Sequence, residues 1–305
     1  MRAVWQARTA AMFIAMSMIM AAMGLLVGML TGQVMLGLVV MMAISIVFNI
    51  YAFVFSKKHA LRANGARIVS EAEEPRLHAI VARVAEKAGV PKPEVGVSEE
   101  PMPNAFATGR SPKNAAVVAT RGILRLLPDA ELEGVMAHEM SHVKNRDILL
   151  MSAASTMAAV LTYMSHYVVW MALSGRNRDM WTLAIAVGAS ITVPIAAMLV
   201  QLGVSRNREF LADETGAKIT GNPRALARAL RSIEIGVRSP NNNYDKESYA
   251  DMWISNPIRK KNMLSKLFST HPPMDERIAR LNAMADRMES GGNTAPAEGH
   301  WAETL

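Results

Sequence analysis

Cysteine is absent from all 305 residues, which excludes disulfide scaffolds, thiol nucleophiles and zinc–thiolate fingers. Charge is scarce too. Charged residues make up 19% of the chain and hydrophobic residues 51%, a balance foreign both to disordered chains and to ordinary soluble enzymes. Only seven histidines are present, so any metal site must be assembled from a few of them together with Asp and Glu. The net charge is +7, but the Lys and Arg residues gather beside apolar runs, as they do in membrane proteins.

What the chain does have is long apolar runs. Residues 10–30 and 34–55 contain no charged residue, and a spanning helix needs about 20 apolar residues. The first run is too long for the apolar region of a signal peptide, and a second follows after only Thr31–Gln33, so the pair reads as a hairpin anchor. Residues 148–173 and 181–204 form a second pair, less uniformly apolar because of Tyr163, His166 and Pro194.

Between and after these pairs lie soluble stretches. Residues 56–74 read as a charged linker. Residues 75–89 have the helical period, opened by Pro75 and closed by Gly89. The short runs 94–99, 104–110 and 115–120 are broken by Pro, Asn and Gly and suggest a small antiparallel sheet. A helix is expected from Pro128, with acidic residues in its first turn, and further helices over 205–238 and 273–289. The Gly-containing tail 290–305 is expected to be disordered.

The chemistry lies in His138-Glu139-Met140-Ser141-His142, an H-E-x-x-H on an expected helix. Residues four apart lie on one face, about 6 Å along the axis, so both imidazoles can hold one zinc ion. Glu139 is then placed to take a proton from a water on that ion. Composition alone would produce the pattern about 0.01 times in such a chain.

Catalytic zinc usually has three protein ligands and one open position. His166 lies 28 residues beyond His138, about 42 Å on a continuous helix. His59 reads as linker, His78 as an exposed helix face and His300 as tail. A carboxylate is therefore expected. Glu209 and Asp213 are four apart on one helical face, so one can ligate zinc while the other orients a ligand histidine. His271, in Ser269-Thr270-His271-Pro272-Pro273, is a further candidate, either as oxyanion donor or at the open metal position. Asn104-Ala105-Phe106 begins an expected strand; proteases commonly hold substrate as an added strand, so these residues are candidates for the substrate cleft.

Taken together, the hairpin anchor, the H-E-x-x-H, the second apolar hairpin, S-R-x-R-E-F-x-A-D at 205–213 and S-T-H-P-P at 269–273 resemble the HtpX-type membrane zinc metalloproteases, relatives of the CAAX prenyl proteases. The resemblance covers about residues 10–289. It implies one Zn²⁺ per chain bound by His138, His142 and Glu209, Glu139 as general base, and Asn104–Ala107 near the active site. It further implies a mostly α membrane protein with a small β-sheet, whose zincin-like (gluzincin) domain is attached to four transmembrane helices. The implied activity is cleavage of misfolded or damaged membrane proteins.

The expected organisation is therefore a hairpin (1–55), a first catalytic part (56–147), a second hairpin (148–204), a second catalytic part (205–289) and the tail (290–305). Arg2 and Arg8 before the first hairpin, and Lys57, Lys58, Arg62 and Arg67 after it, place both its ends in the cytoplasm. The expectation is a multi-pass protein of the inner cell membrane, in contact with lipid and membrane-protein substrates, with its active site facing the cytoplasm. A CAAX-type protease has more spans than these four. A non-catalytic zinc scaffold or chaperone would have no use for Glu139 beside the metal. The basic residues lack interleaved aromatics, so no nucleic-acid partner is expected.

Overall fold

The computed structural model describes residues 2–154, Trp170, Gly188, 206–237 and 272–290. The chain begins with two long helices, α1 (Arg2–Thr31) and α2 (Val34–Ala63). Next come β1 (Ala66–Ile68), α3 (Pro75–Ala88), β2 (Glu94–Ser98), β3 (Ala105–Ser111) and β4 (Asn114–Thr120). Then follow α4 (Arg121–Leu126), α5 (Asp129–Asn145), α6 (Arg206–Thr220), α7 (Pro223–Val237) and α8 (Met274–Glu289). The described residues are mostly helical, with one small sheet.

Small residues bring α1 and α2 together. A Cβ on Gly24 would lie 2.7 Å from the Gly37 carbonyl oxygen, and one on Gly37 would lie 2.8 Å from the Gly28 Cα. This is the close backbone approach that Gly-x-x-x-Gly spacing permits between membrane helices. Deeper in the hairpin, Ser45 donates to Ser17 Oγ (3.0 Å) and Asn49 donates to the same oxygen (2.9 Å). Among the described residues one helix, α2, is long and apolar enough to cross a membrane, and the shorter apolar stretch Ala10–Leu25 lies in α1. Most of the expected second hairpin, 148–204, lies outside the described residues. Its first turns are helical over 147–154, and Leu149, Leu150, Ala153 and Ala154 pack with Met12, Met16, Met20 and Ala52 of the N-terminal pair.

The residues read as linker are partly structured. Instead of ending at 55, α2 runs eight residues further, because Ala60 packs against Phe106 and Val118 of the sheet while Lys57 pairs with Glu94 at 2.7 Å. Full burial of Phe106 here contributes about 1.5–3 kcal/mol, enough to hold the extension. β1 lies within the same supposed linker. The sheet is mixed and four-stranded, in the order β1-β2-β4-β3. β2 runs parallel to β4, with Val95 opposite Val117, while β3 runs antiparallel to β4, with Phe106 opposite Val118. Helix α3 carries the chain between β1 and β2, and β4 inserts beside β2, so sequence neighbours β2 and β3 do not pair. That leaves β3 as an edge.

Beneath the sheet lies the main core. α5 is buried from Gly134 through Val143, enclosed by α3, the sheet, α6 and α7. The expected single helix 205–238 is two helices: Gly221 (φ 69°) ends α6, and Asn222 Oδ1 accepts from the Ala225 N–H (3.0 Å) to cap α7. His78 is buried rather than exposed, its Nε2 3.0 Å from the Val69 carbonyl oxygen.

Candidate active site

His138, Glu139 and His142 lie on the enclosed stretch of α5 and are 2%, 5% and 2% exposed. α6 crosses α5 at this level, and the contact is glycine-dependent: a Cβ on Gly216 would fall 2.8 Å from the His138 backbone nitrogen. That approach delivers Glu209, one helix end away, to both imidazoles. Its oxygens lie 3.6 Å from His138 Nε2 and 3.5 Å from His142 Nε2. Both α6 carboxylates, Glu209 and Asp213, are buried rather than on a solvated face.

A metal-donor set results. One ligand atom each from His138, His142 and Glu209 lies within 4.8 Å of the others. The rings meet edge to face, with centroids 4.9 Å apart. A tetrahedral ion with bonds of about 2.0–2.1 Å separates its ligand atoms by about 3.4 Å. The imidazole–carboxylate separations, each to a different Glu209 oxygen, are 3.5 and 3.6 Å, close to that spacing, so the donors fit zinc in number and type and stand near enough to close on one ion.

The other imidazole nitrogens face carboxylates. His138 Nδ1 is 2.9 Å from Asp213 Oδ1, so of the two acidic residues on α6, Glu209 faces the Nε2 atoms and Asp213 stands behind. Asp213 is itself gripped by Arg277 of α8, whose Nε and Nη2 each donate at 2.7 Å. Burial acts to raise the Asp213 pKa, but the charge and hydrogen bonds of Arg277 outweigh it and hold the carboxyl below its usual range. Burial likewise acts to lower the Arg277 pKa, and Asp213 with the nearby Glu209 and Glu139 raises it instead. On the other side, His142 Nδ1 is 3.5 Å from Asp147 Oδ2, and Arg208 donates to Asp147 Oδ1. Burial alone would lower the His142 pKa; Asp147, Glu209 and Glu139 overcome it and raise the value to about 9.

Glu139 is not one of the three donors. Burial pushes its carboxyl above the usual range; the histidines counter this, Glu209 adds to it, and a hydrogen bond from the Ala107 backbone N–H counters it again. Ala107 belongs to the edge strand. The Thr120 N–H donates to the Asn104 carbonyl (2.9 Å), which fixes the alternation along β3. By that alternation the N–H and C=O groups of Ala105 and Ala107 point away from β4. Asn104 is buried, its N–H bonded to Thr120 Oγ1 at 2.9 Å. The Phe106 side chain lies on the α2 face with Ala60 and Val118, whereas Ala105 and Ala107 join the main core with α5. What β3 offers near Glu139 is therefore main chain, and the Phe106 ring is core. His271 lies outside the described residues.

Three participants escaped the sequence reading: Arg277, Asp147 and Arg208. Arg277 had a signal, since it shares the buried stripe of α8 with Met274, Leu281 and Ala285 and a lone charge on an apolar stripe needs a buried partner.

Comparison with known proteins agrees with this site. The model of Peptidase family M48 matches residues 71–285. A "Protease HtpX homolog" of Pyrococcus furiosus is 45% identical over 271 residues, covering 87% of this chain and 93% of that one. Another, from Thermodesulfovibrio yellowstonii, is 45% identical over 243 residues, covering 78% and 86%. Among solved structures, the crystal structure of S. mikatae Ste24p shows 18% identity and a TM-score of 0.48 over 81% of this chain. The chain spans 58% of that protein's length. With a family match across most of its length and relatives at 45% identity, the chain is a membrane-associated metalloprotease belonging to peptidase family M48.

Proposed function

We propose that this protein is a zinc endopeptidase of the inner cell membrane that cleaves misfolded or damaged membrane proteins on the cytoplasmic side. His138, His142 and Glu209 hold one Zn²⁺ per chain, and Asp213 fixes the His138 tautomer by accepting its Nδ1–H. When bound, the ion supplies a Lewis acid and lowers the pKa of a coordinated water towards about 7. Glu139 is placed to take a proton from the attacking water and to pass it to the leaving amine. Burial raises its pKa above the ordinary carboxylate range in the metal-free protein. Substrate lies as an added strand along β3, bonded to the outward main chain of Ala105 beside Asn104, which brings the scissile carbonyl to Glu139. His271 donates a hydrogen bond to the oxyanion. The protein is multi-pass, with hairpins over 10–55 and 148–204, and the flanking Lys and Arg residues put the catalytic part in the cytoplasm.

One observation carries this reading. Glu139 is buried among the donors yet held from the edge strand by Ala107 rather than spent on the metal group, an arrangement a purely structural metal site does not need. The test is zinc-dependent cleavage of an unfolded membrane protein by the purified enzyme. Glu139→Gln is expected to keep its zinc and lose about 10²–10⁴-fold in rate. A Gln variant that cuts at the wild-type rate sinks the proposal.

A further inference from the structure

α5 does not run straight into the next helix. Arg146 takes a left-handed conformation (φ 62°) and the helix resumes at 147, which turns Asp147 back towards His142. Asp147 Oδ2 lies 3.5 Å from His142 Nδ1, and Asp147 Oδ1 accepts from Arg208. Both members of this ion pair are buried, at 7% and 8% exposure, and they stand 61 positions apart in the chain. Asp147 is where the chain leaves the catalytic part for its second apolar excursion. Arg208 is where it comes back, immediately before Glu209.

The stretch that Asp147 opens is fastened on several sides. Ile148 enters the main core. Leu149 and Leu150 pack on Met12, Met16 and Met20 of α1. Ser152 shares a 2.8 Å hydrogen bond with Thr108 of β3. The other imidazole has a matching partner chain, His138–Asp213–Arg277, built wholly within the catalytic part.

We propose that Asp147 and Arg208 are positioning residues forming a clasp for His142. The Asp147 carboxylate, 3.5 Å from His142 Nδ1, favours the tautomer with its proton on Nδ1 and so presents Nε2 to the metal. Arg208 neutralises Asp147 and at the same time pins the start of α6, which carries Glu209. Metal grip thereby depends on the two ends of the apolar excursion standing together. The proposal rests on the reading of His138, His142 and Glu209 as the metal site.

The test uses full-length protein in detergent micelles, titrated with Zn²⁺ against a chromophoric chelator and with Co²⁺ for its visible spectrum. D147N and R208M should each lower Zn²⁺ affinity by about 10–100-fold. The double variant should bind no more weakly than the worse single one, because both substitutions break the same ion pair. R208K should keep most of the affinity. Co²⁺-saturated D147N should show shifted bands, which a merely structural role would not produce. If D147N does not fold, D147E carries the same test, since it moves the carboxylate by one methylene. Wild-type affinity and spectrum in D147N or D147E would overturn the clasp. So would a loss in R208M with none in D147N, which would mean that Arg208 acts on Glu209 alone. E209A separates the two readings. If it binds metal like wild type, the metal site itself is misassigned; if it loses metal while D147N does not, only the clasp fails.

Discussion

Gly216→Ala adds one methyl group between the two helices that make the metal site. Its Cβ would stand 2.8 Å from the His138 nitrogen and 3.0 Å from the Ala137 carbonyl carbon, about 0.6 Å short of the 3.4 Å of ordinary contact. Both neighbours are backbone of the fully enclosed α5 and cannot swing aside, so α6 must retreat. A retreat of about 0.6 Å stretches the 2.9 Å contact between His138 and Asp213 to about 3.5 Å, beyond a good hydrogen bond. It also draws Glu209 away from both imidazoles, while metal sites tolerate about 0.2 Å. Zinc affinity should fall about 10–100-fold, and the metal-free protein should lose about 1–3 kcal/mol to overpacking. The sign is informative, because Gly→Ala in an unobstructed helix stabilises by about 0.5–1 kcal/mol. Chelator competition and thermal unfolding with and without zinc measure both effects, with exposed Lys218→Ala on the same helix as control. Undiminished zinc affinity in a folded Gly216→Ala protein would refute the argument that this glycine sets the helix spacing.

Three further outcomes are expected. Arg277→Met should cost about 3–5 kcal/mol, because it strands Asp213 as a buried charge; an unchanged thermal midpoint would show that the pair is not worth its burial. Metal-free His142 holds its proton up to about pH 9, and metal binding must expel that proton. Zinc affinity should therefore rise about tenfold per pH unit below that value and level off above it. Calorimetry in buffers of different ionisation enthalpy should find about one proton released per zinc at pH 7–8, and zero would contradict the assignment. In the cysteine-free background, Ser111→Cys at the β3–β4 turn and Thr31→Cys should react with impermeant reagents from opposite sides of the membrane. Labelling of Ser111→Cys on intact cells would reverse the proposed orientation.

The parts of the molecule legible in the sequence are those where one residue pattern has one physical solution. Charge-free runs at 10–30 and 34–55 correspond to α1 and α2, Pro75 and Gly89 bracket α3, and H-E-x-x-H forms a helix with both imidazoles on one face. What escaped depends on distant partners. Ser56, Lys57, Lys58 and His59 look like the end of a membrane helix, and only the sheet beneath Ala60 explains why the helix continues. The three residues of β1 are too few to show alternation. Parallel pairing of β2 with β4 cannot be read from neighbouring runs that suggest a simple meander. Asp147 reads only as the last residue of the H-E-x-x-H helix until Arg208, 61 positions on, is placed beside it.

The unbroken course of α2 has a consequence for which proteins can be cut. Thirty helical residues measure about 45 Å, of which the charge-free portion 34–55 takes about 33 Å, close to the thickness of a bilayer's hydrocarbon core. The last eight residues project about 12 Å further, and on this projection Ala60 and Lys57 hold the sheet that carries the edge strand. With α2 crossing the membrane as proposed, a rod fixed in this way would act as a ruler, holding the cutting site at a set height above the lipid. An anchored chain extended at about 3.3 Å per residue needs roughly four residues of slack to climb that far. On the proposed orientation, well-packed membrane proteins with tight cytoplasmic turns would lie below that height. Under the proposed function, those that have loosened, or partly slipped from the bilayer, would come within range, and reach alone would separate damaged from intact without any sequence being read.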